Sequence, residues 1–164
     1  MPILKMEIIK GRNKPGWCGP ACLAWACYEL EGYYPSQKQI AWEIGVDEDW
    51  GTSGPEMVAG AALLGFWAMW AHVPLDELAK LKADGASIIV NWMSGPNKDE
   101  DGHYSVLHEV TDKTITIQDP DWKGSMRTMD RKVFEGVWWD VDEDGEKQEG
   151  WALVVKKRSK DTSD

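Results

Sequence analysis

A cysteine at the start of a helix constrains this chain more than any other feature. Gly19 and Pro20 mark the helix start, because a proline at the first helical position lacks only an N–H that would be unpaired there anyway. Apolar residues at three- and four-residue spacings continue the helix to about Glu31, and Gly32 ends it. Cys18 therefore faces unpaired backbone N–H groups and the positive end of the helix dipole, which favour the nucleophilic thiolate over the thiol. The segment predicts that Cys18 is a catalytic nucleophile.

Length and composition predict one globular domain. The 164 residues are enough to bury a hydrophobic core, and an apolar share of 43% with a charged share of 28% is ordinary for a globular protein. Helical patterns fill most of the first half and strand patterns most of the second, an order that favours an α+β fold over alternating βαβ units. We expect a single domain over residues 1–157 and a mobile charged tail over 158–164.

The charge of the chain argues against several classes of partner. A net charge of −10 repels phosphate backbones, so nucleic-acid binding is not expected. The same charge disfavours docking on anionic membranes, and no apolar stretch is long enough for membrane insertion. The first ten residues are too short and too mixed for a secretory signal. A peptide or protein substrate is the expected partner, and the oligomeric state is not predicted.

The cysteines indicate a reduced protein without a metal site. Three cysteines are an odd number, which excludes a full disulfide framework, so reduced thiols in a cytoplasmic protein are the simplest interpretation. Cys22 and Cys27 follow Cys18 on the same helix and are expected in the core, and a buried, inert thiol is also the alternative interpretation of Cys18. No Cys-x-x-Cys pair or phosphate-binding loop is present, so we expect no metal and no cofactor.

Turn and periodicity signals predict the remaining elements. A serine followed three residues later by glutamine or glutamate predicts capped helix starts at Ser36 and Ser53. The predicted helices cover residues 20–31, 37–44, 54–64, 74–83 and 129–137. The predicted strands cover residues 3–9, 66–71, 87–93, 103–110, 114–118 and 151–157. The acidic run over 140–149 predicts a solvated hairpin loop.

A cysteine nucleophile needs a base and a group that orients the base. His103 is the best candidate base, because it lies where a polar loop meets a strand, whereas His72 and His108 are expected to be structural. Asp119 ends the strand that should pair with the His103 strand. A simple two-residue turn would place Asp119 opposite Val106, and a longer turn or a bulge would bring it nearer to His103. Asp112 and Asp121 are weaker alternatives, and the pairing alone does not fix contact.

These segments resemble a known family. Cys18-Gly19-Pro20-Ala21-Cys22-Leu23-Ala24, then Gly102-His103-Tyr104-Ser105-Val106, then Gln118-Asp119-Pro120 are similar, in this order, to the papain-like peptidases that cleave double-glycine leaders of bacteriocins. The resemblance covers roughly residues 8–157. It implies Cys18 as nucleophile, His103 as general base and Asp119 as its orienter. It also implies an α+β, papain-like fold in which the cysteine helix packs on a mostly antiparallel sheet.

One position departs from the pattern of that family. A glutamine usually stands six residues before the cysteine and completes the oxyanion hole, whereas this chain has Arg12 there with Asn13 beside it. Either side chain could donate in place of the glutamine. Trp17 and Trp92 are expected to line the substrate groove. The predicted function is a cysteine peptidase; the alternatives are another Cys-His-Asp acyl transfer, such as deamidation or transglutamination, and a catalytically weakened peptide-binding module.

Overall fold

A six-stranded antiparallel sheet carries the fold and has helices on both faces. The structure is a computed structural model, and it describes residues 18–46, 51–93, 102–120, 125–142 and 144–158. Its helices are α1 (Cys18–Glu31), α2 (Gln37–Ile44), α3 (Gly54–Leu63), α4 (Leu75–Ala83) and α5 (Arg131–Val137). Its strands are β1 (Phe66–His72), β2 (Ser87–Met93), β3 (Gly102–Val110), β4 (Thr114–Asp119), β5 (Ser125–Asp130), β6 (Trp139–Val141), β7 (Lys147–Glu149) and β8 (Trp151–Lys157).

The strand order places the last strand of the sequence inside the sheet, next to the edge strand β1. The order is β1-β8-β2-β3-β4-β5, and every pairing is antiparallel. Strand β8 is buried from Trp151 to Val155, as expected for an apolar strand with neighbours on both sides. Strands β6 and β7 form a separate two-stranded hairpin. The predicted α+β class and antiparallel sheet are therefore confirmed.

Two apolar clusters cover the two faces of the sheet. The cluster under α1 and α3 includes Leu23, Met57 and Val106, and the opposite cluster includes Leu78 of α4 and Phe134 of α5. Helix α1 is buried at every residue from Cys18 to Cys27, so it packs on all sides and holds the cysteine rigidly against the sheet.

Capping signals correctly place two helix starts. Ser53 and Glu56 form a full capping box at α3, with both reciprocal hydrogen bonds present at 2.9 and 3.2 Å. Ser36 caps α2 through its side chain, whereas Gln39 turns along the helix to Glu43 and leaves the box half formed.

Other boundaries differ from the prediction. Helix α1 begins at Cys18, so Pro20 lies in its first turn and not at its first position. The segment before α5 is a strand, β5, and α5 starts at Arg131 instead of residue 129. The predicted strand over residues 3–9 lies outside the described residues, as does the predicted tail beyond residue 158.

A bulge in β3 sets the pairing between β3 and β4. The turn between these strands has the predicted two central residues, since Val110 pairs with Ile115. The register then shifts between Leu107 and Glu109, and beyond the shift Val106 faces Gln118 instead of Asp119. The extra residue is His108, which is exposed. Because neighbouring strand residues point to opposite faces, this one-residue shift moves Asp119 to the face that His103 occupies.

Within the described ranges, no helix is both long enough and apolar enough to span a bilayer.

Candidate active site

Cys18 is held at the first residue of α1 by tight packing beside it. The side chain is 9% exposed, and the neighbouring Gly19 leaves no room for a larger residue, because a Cβ there would lie 2.8 Å from Oγ1 of Thr52. The Tyr104 hydroxyl donates a 2.7 Å hydrogen bond to the carbonyl of Thr52. Burial raises the pKa of Tyr104 well above its usual value, so the phenol remains a donor at neutral pH. This arrangement fixes the helix start that carries the thiol.

The predicted nucleophile, base and orienter come together. Nε2 of His103 lies 2.5 Å from Oδ1 of Asp119, and the Cys18 side chain also forms a hydrogen bond with His103. Because Nε2 is occupied by the carboxylate, Nδ1 is the ring nitrogen that remains for the thiol. His103 is 3% exposed and Asp119 is 1% exposed, so their interaction is shielded from water.

The surroundings of His103 favour its charged form. Burial disfavours the imidazolium, yet the hydrogen bonds to Asp119 and to Cys18 outweigh burial, and with the charges of both groups they raise the pKa of His103 well above its usual value. A protonated ring between a carboxylate and a thiol is suited to stabilise a thiolate and later to donate a proton.

Trp92 is a correction to the sequence prediction. It was expected to line the substrate groove, but the side chain is 2% exposed and belongs to the second apolar cluster. Its ring lies 5.9 Å from the His103 ring and 5.7 Å from the Phe134 ring, centroid to centroid, and Nε1 donates to Oγ of Ser105 at 3.0 Å. Trp92 therefore packs beside the imidazole on the same face of the sheet, because β2 pairs it directly with His103.

Arg127 is a site residue that the sequence analysis missed. It lies on β5, and its guanidinium Nη1 is 3.3 Å from Oδ2 of Asp119, the oxygen that His103 does not use. The guanidinium carbon also lies 5.4 Å from the centroid of the Trp92 ring. The Ser125–Asp130 segment carries no clear strand signal, since its two methionines are three residues apart and do not alternate with polar residues, and only the pairing of β5 with β4 brings Arg127 toward Asp119.

Asp140 corrects the prediction of a fully solvated acidic hairpin. Residues 139–149 do form a hairpin with an exposed turn, but the Asp140 carboxylate is half-buried against the backbone of Gly102, next to His103. Burial raises the pKa of Asp140, against the opposing hydrogen bonds from the backbone N–H of Val141 and the Asn91 side chain. Only glycine fits at position 102 under this carboxylate.

The remaining candidates do not join the site in the described residues. Nδ1 of His72 lies 2.7 Å from the carbonyl oxygen of Glu149, His108 is exposed at the bulge, and Asp112 lies in the exposed turn of the hairpin. Cys22 and Cys27 form no disulfide and are fully buried, as expected for core residues. Within the described part of the chain, no three His, Cys, Asp or Glu side chains are grouped to hold a metal ion.

Four predicted site residues lie outside the described residues: Arg12, Asn13, Trp17 and Asp121. Their predicted roles at the oxyanion hole, in the groove and as an alternative orienter stay predictions.

Comparison with known proteins gives one family and a consistent set of folds. The sequence model of the Peptidase C39 family matches residues 9–141. The peptidase domain of Streptococcus ComA, a bifunctional ABC transporter involved in quorum sensing, shares 21% identity at a TM-score of 0.71, covering 94% of this chain and 98% of that domain. No curated protein matches the chain at a significant level.

Two further structures share the fold. A double-glycine-motif protease from an AMS/PCAT transporter, solved with its leader peptide, shares 20% identity at a TM-score of 0.66, covering 94% of this chain and 93% of that one. The N-terminal C39-like domain of a toxin-secretion ATP-binding protein from Vibrio parahaemolyticus shares 13% identity at a TM-score of 0.61, covering 87% and 98%. The family match spans the segments that hold Cys18, His103 and Asp119. The chain therefore belongs to the Peptidase C39 family and is a cysteine peptidase with a papain-like fold.

Proposed function

We propose that this protein hydrolyses peptide bonds with Cys18 as nucleophile, His103 as general acid and base, and Asp119 as the group that orients His103. The observation that carries the proposal is the buried imidazole between a thiol at a helix start and a carboxylate. Family membership supports the reaction class, and the geometry supports the assignment of roles.

The first half of the reaction forms an acyl-enzyme. The Cys18 thiolate attacks the carbonyl carbon of the scissile amide, and the negative charge moves to the carbonyl oxygen. The backbone N–H of Cys18, at the N-terminal end of α1, is a suitable donor to this oxyanion. As the tetrahedral species collapses, the C–N bond breaks, and the His103 imidazolium gives its proton to the departing amine. A thioester and a neutral imidazole remain.

The second half restores the enzyme. His103, now neutral at Nδ1, takes a proton from water, and the resulting hydroxide attacks the thioester carbonyl. The C–S bond breaks, the carboxylic acid leaves, and the thiolate–imidazolium pair forms again. Asp119 keeps the Nε2 proton of the ring pointing away from Cys18 throughout, so that Nδ1 remains the nitrogen that exchanges protons with the substrate.

The substrate we propose is a peptide that is cut after small residues such as a pair of glycines. The support is similarity alone, since one structure of the same fold is a double-glycine-motif protease bound to its leader peptide. We also propose that the enzyme acts in the cytoplasm, where its three cysteine thiols, which form no disulfide, would stay reduced.

Alkylation by iodoacetamide tests the activated nucleophile. The protein carries its own controls, because Cys22 and Cys27 are buried thiols in the same helix. We expect Cys18 to react selectively near neutral pH, faster than a free cysteine, and to lose that advantage in His103→Ala. The matched control is His72→Ala, which removes an exposed histidine from the edge strand β1, separated from the His103 strand by β8 and β2. Reaction of Cys18 no faster than a free thiol would overturn the assignment.

A peptide library read by mass spectrometry tests the reaction itself. We expect cleaved products that disappear in Cys18→Ala. A mass change of one unit without cleavage would instead indicate deamidation, and joined peptides would indicate transglutamination. Binding of peptides without any product in the wild-type protein would favour the peptide-binding module.

A further inference from the structure

Arg127 is a charged residue of the described site that the proposed mechanism does not use. Asp119 offers two carboxylate oxygens, and His103 takes only Oδ1. Oδ2 accepts from Nη1 of Arg127 at 3.3 Å. A carboxyl group turns easily about its last side-chain bond, because that torsion is broad and roughly two-fold. A second contact on the other oxygen stops this rotation.

The sheet itself delivers Arg127 to this position. Strand β5 pairs Arg127 with Ile117 and pairs Ser125 with Asp119. Arg127 and Asp119 are therefore diagonal neighbours on one face of the sheet, close enough for a long side chain to reach across. The Arg127 side chain is 29% exposed, so its guanidinium is partly solvated while one of its nitrogens contacts a buried carboxylate.

Trp92 completes the arrangement. Its ring contacts the guanidinium of Arg127 and the imidazole of His103. The four side chains of Arg127, Asp119, His103 and Trp92 form a closed ring of contacts, in which the arginine is the outer member. A change at Arg127 consequently reaches His103 through both Asp119 and Trp92.

We propose that Arg127 is a positioning residue of this peptidase, which fixes the orientation of residue 119 and thereby the tautomer of His103. The inference rests on the proposed function of Cys18, His103 and Asp119. Among the described residues, the charged or titratable groups that contact this pair include Cys18 from α1 on the His103 side and Arg127 from β5 on the Asp119 side. The Asp140 carboxylate from β6 lies against the neighbouring Gly102.

A substitution of Asp119 by asparagine makes the role of Arg127 visible. The guanidinium has only donors, so the amide oxygen of Asn must face Arg127 and the amide NH2 must face Nε2 of His103. Nε2 then has to accept a hydrogen bond, which places the ring proton on Nδ1, the nitrogen that faces Cys18. An imidazole in that tautomer cannot take a proton from the thiol. Without the arginine, the amide can turn round, accept from Nε2–H and leave Nδ1 free.

The test is a double-mutant cycle on cleavage of a fluorogenic peptide that contains a Gly-Gly pair. We expect Asp119→Asn to lower kcat by about 10³- to 10⁴-fold, the scale of a wrong tautomer in a catalytic triad. Arg127→Met alone should lower kcat by about tenfold with little change in KM. In the Asp119→Asn background, Arg127→Met should instead raise kcat by tenfold or more. Arg127→Lys keeps a charged donor and should not restore the Asn variant.

Arg131→Met is the matched control. Arg131 also forms an ion pair, at 3.0 Å to Asp76, and a hydrogen bond to a backbone carbonyl, but it lies away from Cys18. This substitution should leave kcat unchanged in both backgrounds. A gain of activity on removing a second side chain cannot come from a folding defect, so the reversal of sign separates positioning from a merely structural role.

Three results would overturn the inference. They are wild-type kcat in Arg127→Met, wild-type kcat in Asp119→Asn, and an Arg127→Met effect of the same sign in both backgrounds. Failure of the proposed function would look different, since cleavage would then persist in Cys18→Ala and His103→Ala. If those two variants are inactive while the sign reversal is missing, only the role of Arg127 is refuted.

Discussion

The contact between Gly102 and Asp140 predicts how much a substitution at the first residue of β3, the strand that carries His103, changes stability. A Cβ built at Gly102 would lie 2.5 Å from both Cγ and Oδ1 of Asp140 and nearer still to Oδ2, whereas an ordinary contact is at least 3.4 Å. In Gly102→Ala the carboxylate must therefore retreat by at least 0.9 Å. It cannot do so freely, because it accepts from the Val141 N–H at 2.7 Å and from the Asn91 side chain.

The size of the effect follows from the two contributions. Overpacking of this kind costs about 1–3 kcal/mol. If Asp140 is first truncated to alanine, the same Gly102→Ala change no longer meets its three nearest atoms and should gain about 0.5–1 kcal/mol, because alanine loses less conformational entropy on folding than glycine. The cycle thus predicts a coupling of about 1.5–4 kcal/mol, with a change of sign between the two backgrounds.

Urea unfolding followed by tryptophan fluorescence measures this coupling, provided that the m-value is the same in all variants. Asp140→Asn is the control, because it keeps the obstructing atoms in place and should leave the cost of Gly102→Ala intact. A coupling below about 0.5 kcal/mol between Gly102→Ala and Asp140→Ala would refute the reasoning, as would full relief by Asp140→Asn.

Three further predictions concern the charges and the helix cap. Because the pKa of His103 is raised well above 6.5, the imidazolium that we propose as the proton donor to the leaving amine persists through neutrality. The alkaline limb of kcat/KM should therefore lie well above pH 6.5, and a midpoint at or below that value would contradict the hydrogen-bond pattern. Since burial raises the pKa of Asp140, the protonated form is stabilised in the folded state, and the contribution of Asp140 to stability should fall as the pH rises through that pKa. The free energy of unfolding of the wild type, relative to that of Asp140→Asn, should therefore decrease between pH 3 and 7 in denaturation curves, and a constant difference would contradict the prediction. Ser53→Ala breaks the capping box of α3 and should cost about 0.5–2 kcal/mol in thermal or urea unfolding with kcat unchanged, whereas Ser36→Ala, with half a box, should cost less.

The chemistry of the site was predictable from sequence where a local signal carried it. Gly19 and Pro20 predict the helix that starts at Cys18, and the polar loop before β3 favours His103 over the other two histidines as the base. The sequence also predicts that Asp119 ends the strand that pairs with the His103 strand. These are short-range patterns, in which the residue type itself requires a particular backbone or a particular chemistry.

The remaining features depend on long-range contacts that no local pattern records. Trp92 was expected at a groove because it lies ahead of the loop that precedes His103, but its place is decided by pairing with His103 and by packing on Phe134. Arg127 and Asp140 belong to elements that only the folded sheet brings to the site. The position of the bulge at His108 is equally invisible in the sequence, since no glycine or proline stands next to it to mark a bulge.

The bulge implies a spacing rule for this hairpin. His103 and Asp119 are sixteen residues apart and joined by a two-residue turn, so an uninterrupted ladder would leave them on opposite faces. One bulge corrects the mismatch; a separation of fifteen residues would need none. Loss of His108 should therefore be tolerated by the pairing, whereas loss of two residues would again require a bulge. The number of residues that separate His103 from Asp119 therefore decides whether a bulge is needed: with a two-residue turn, an even separation needs one and an odd separation needs none.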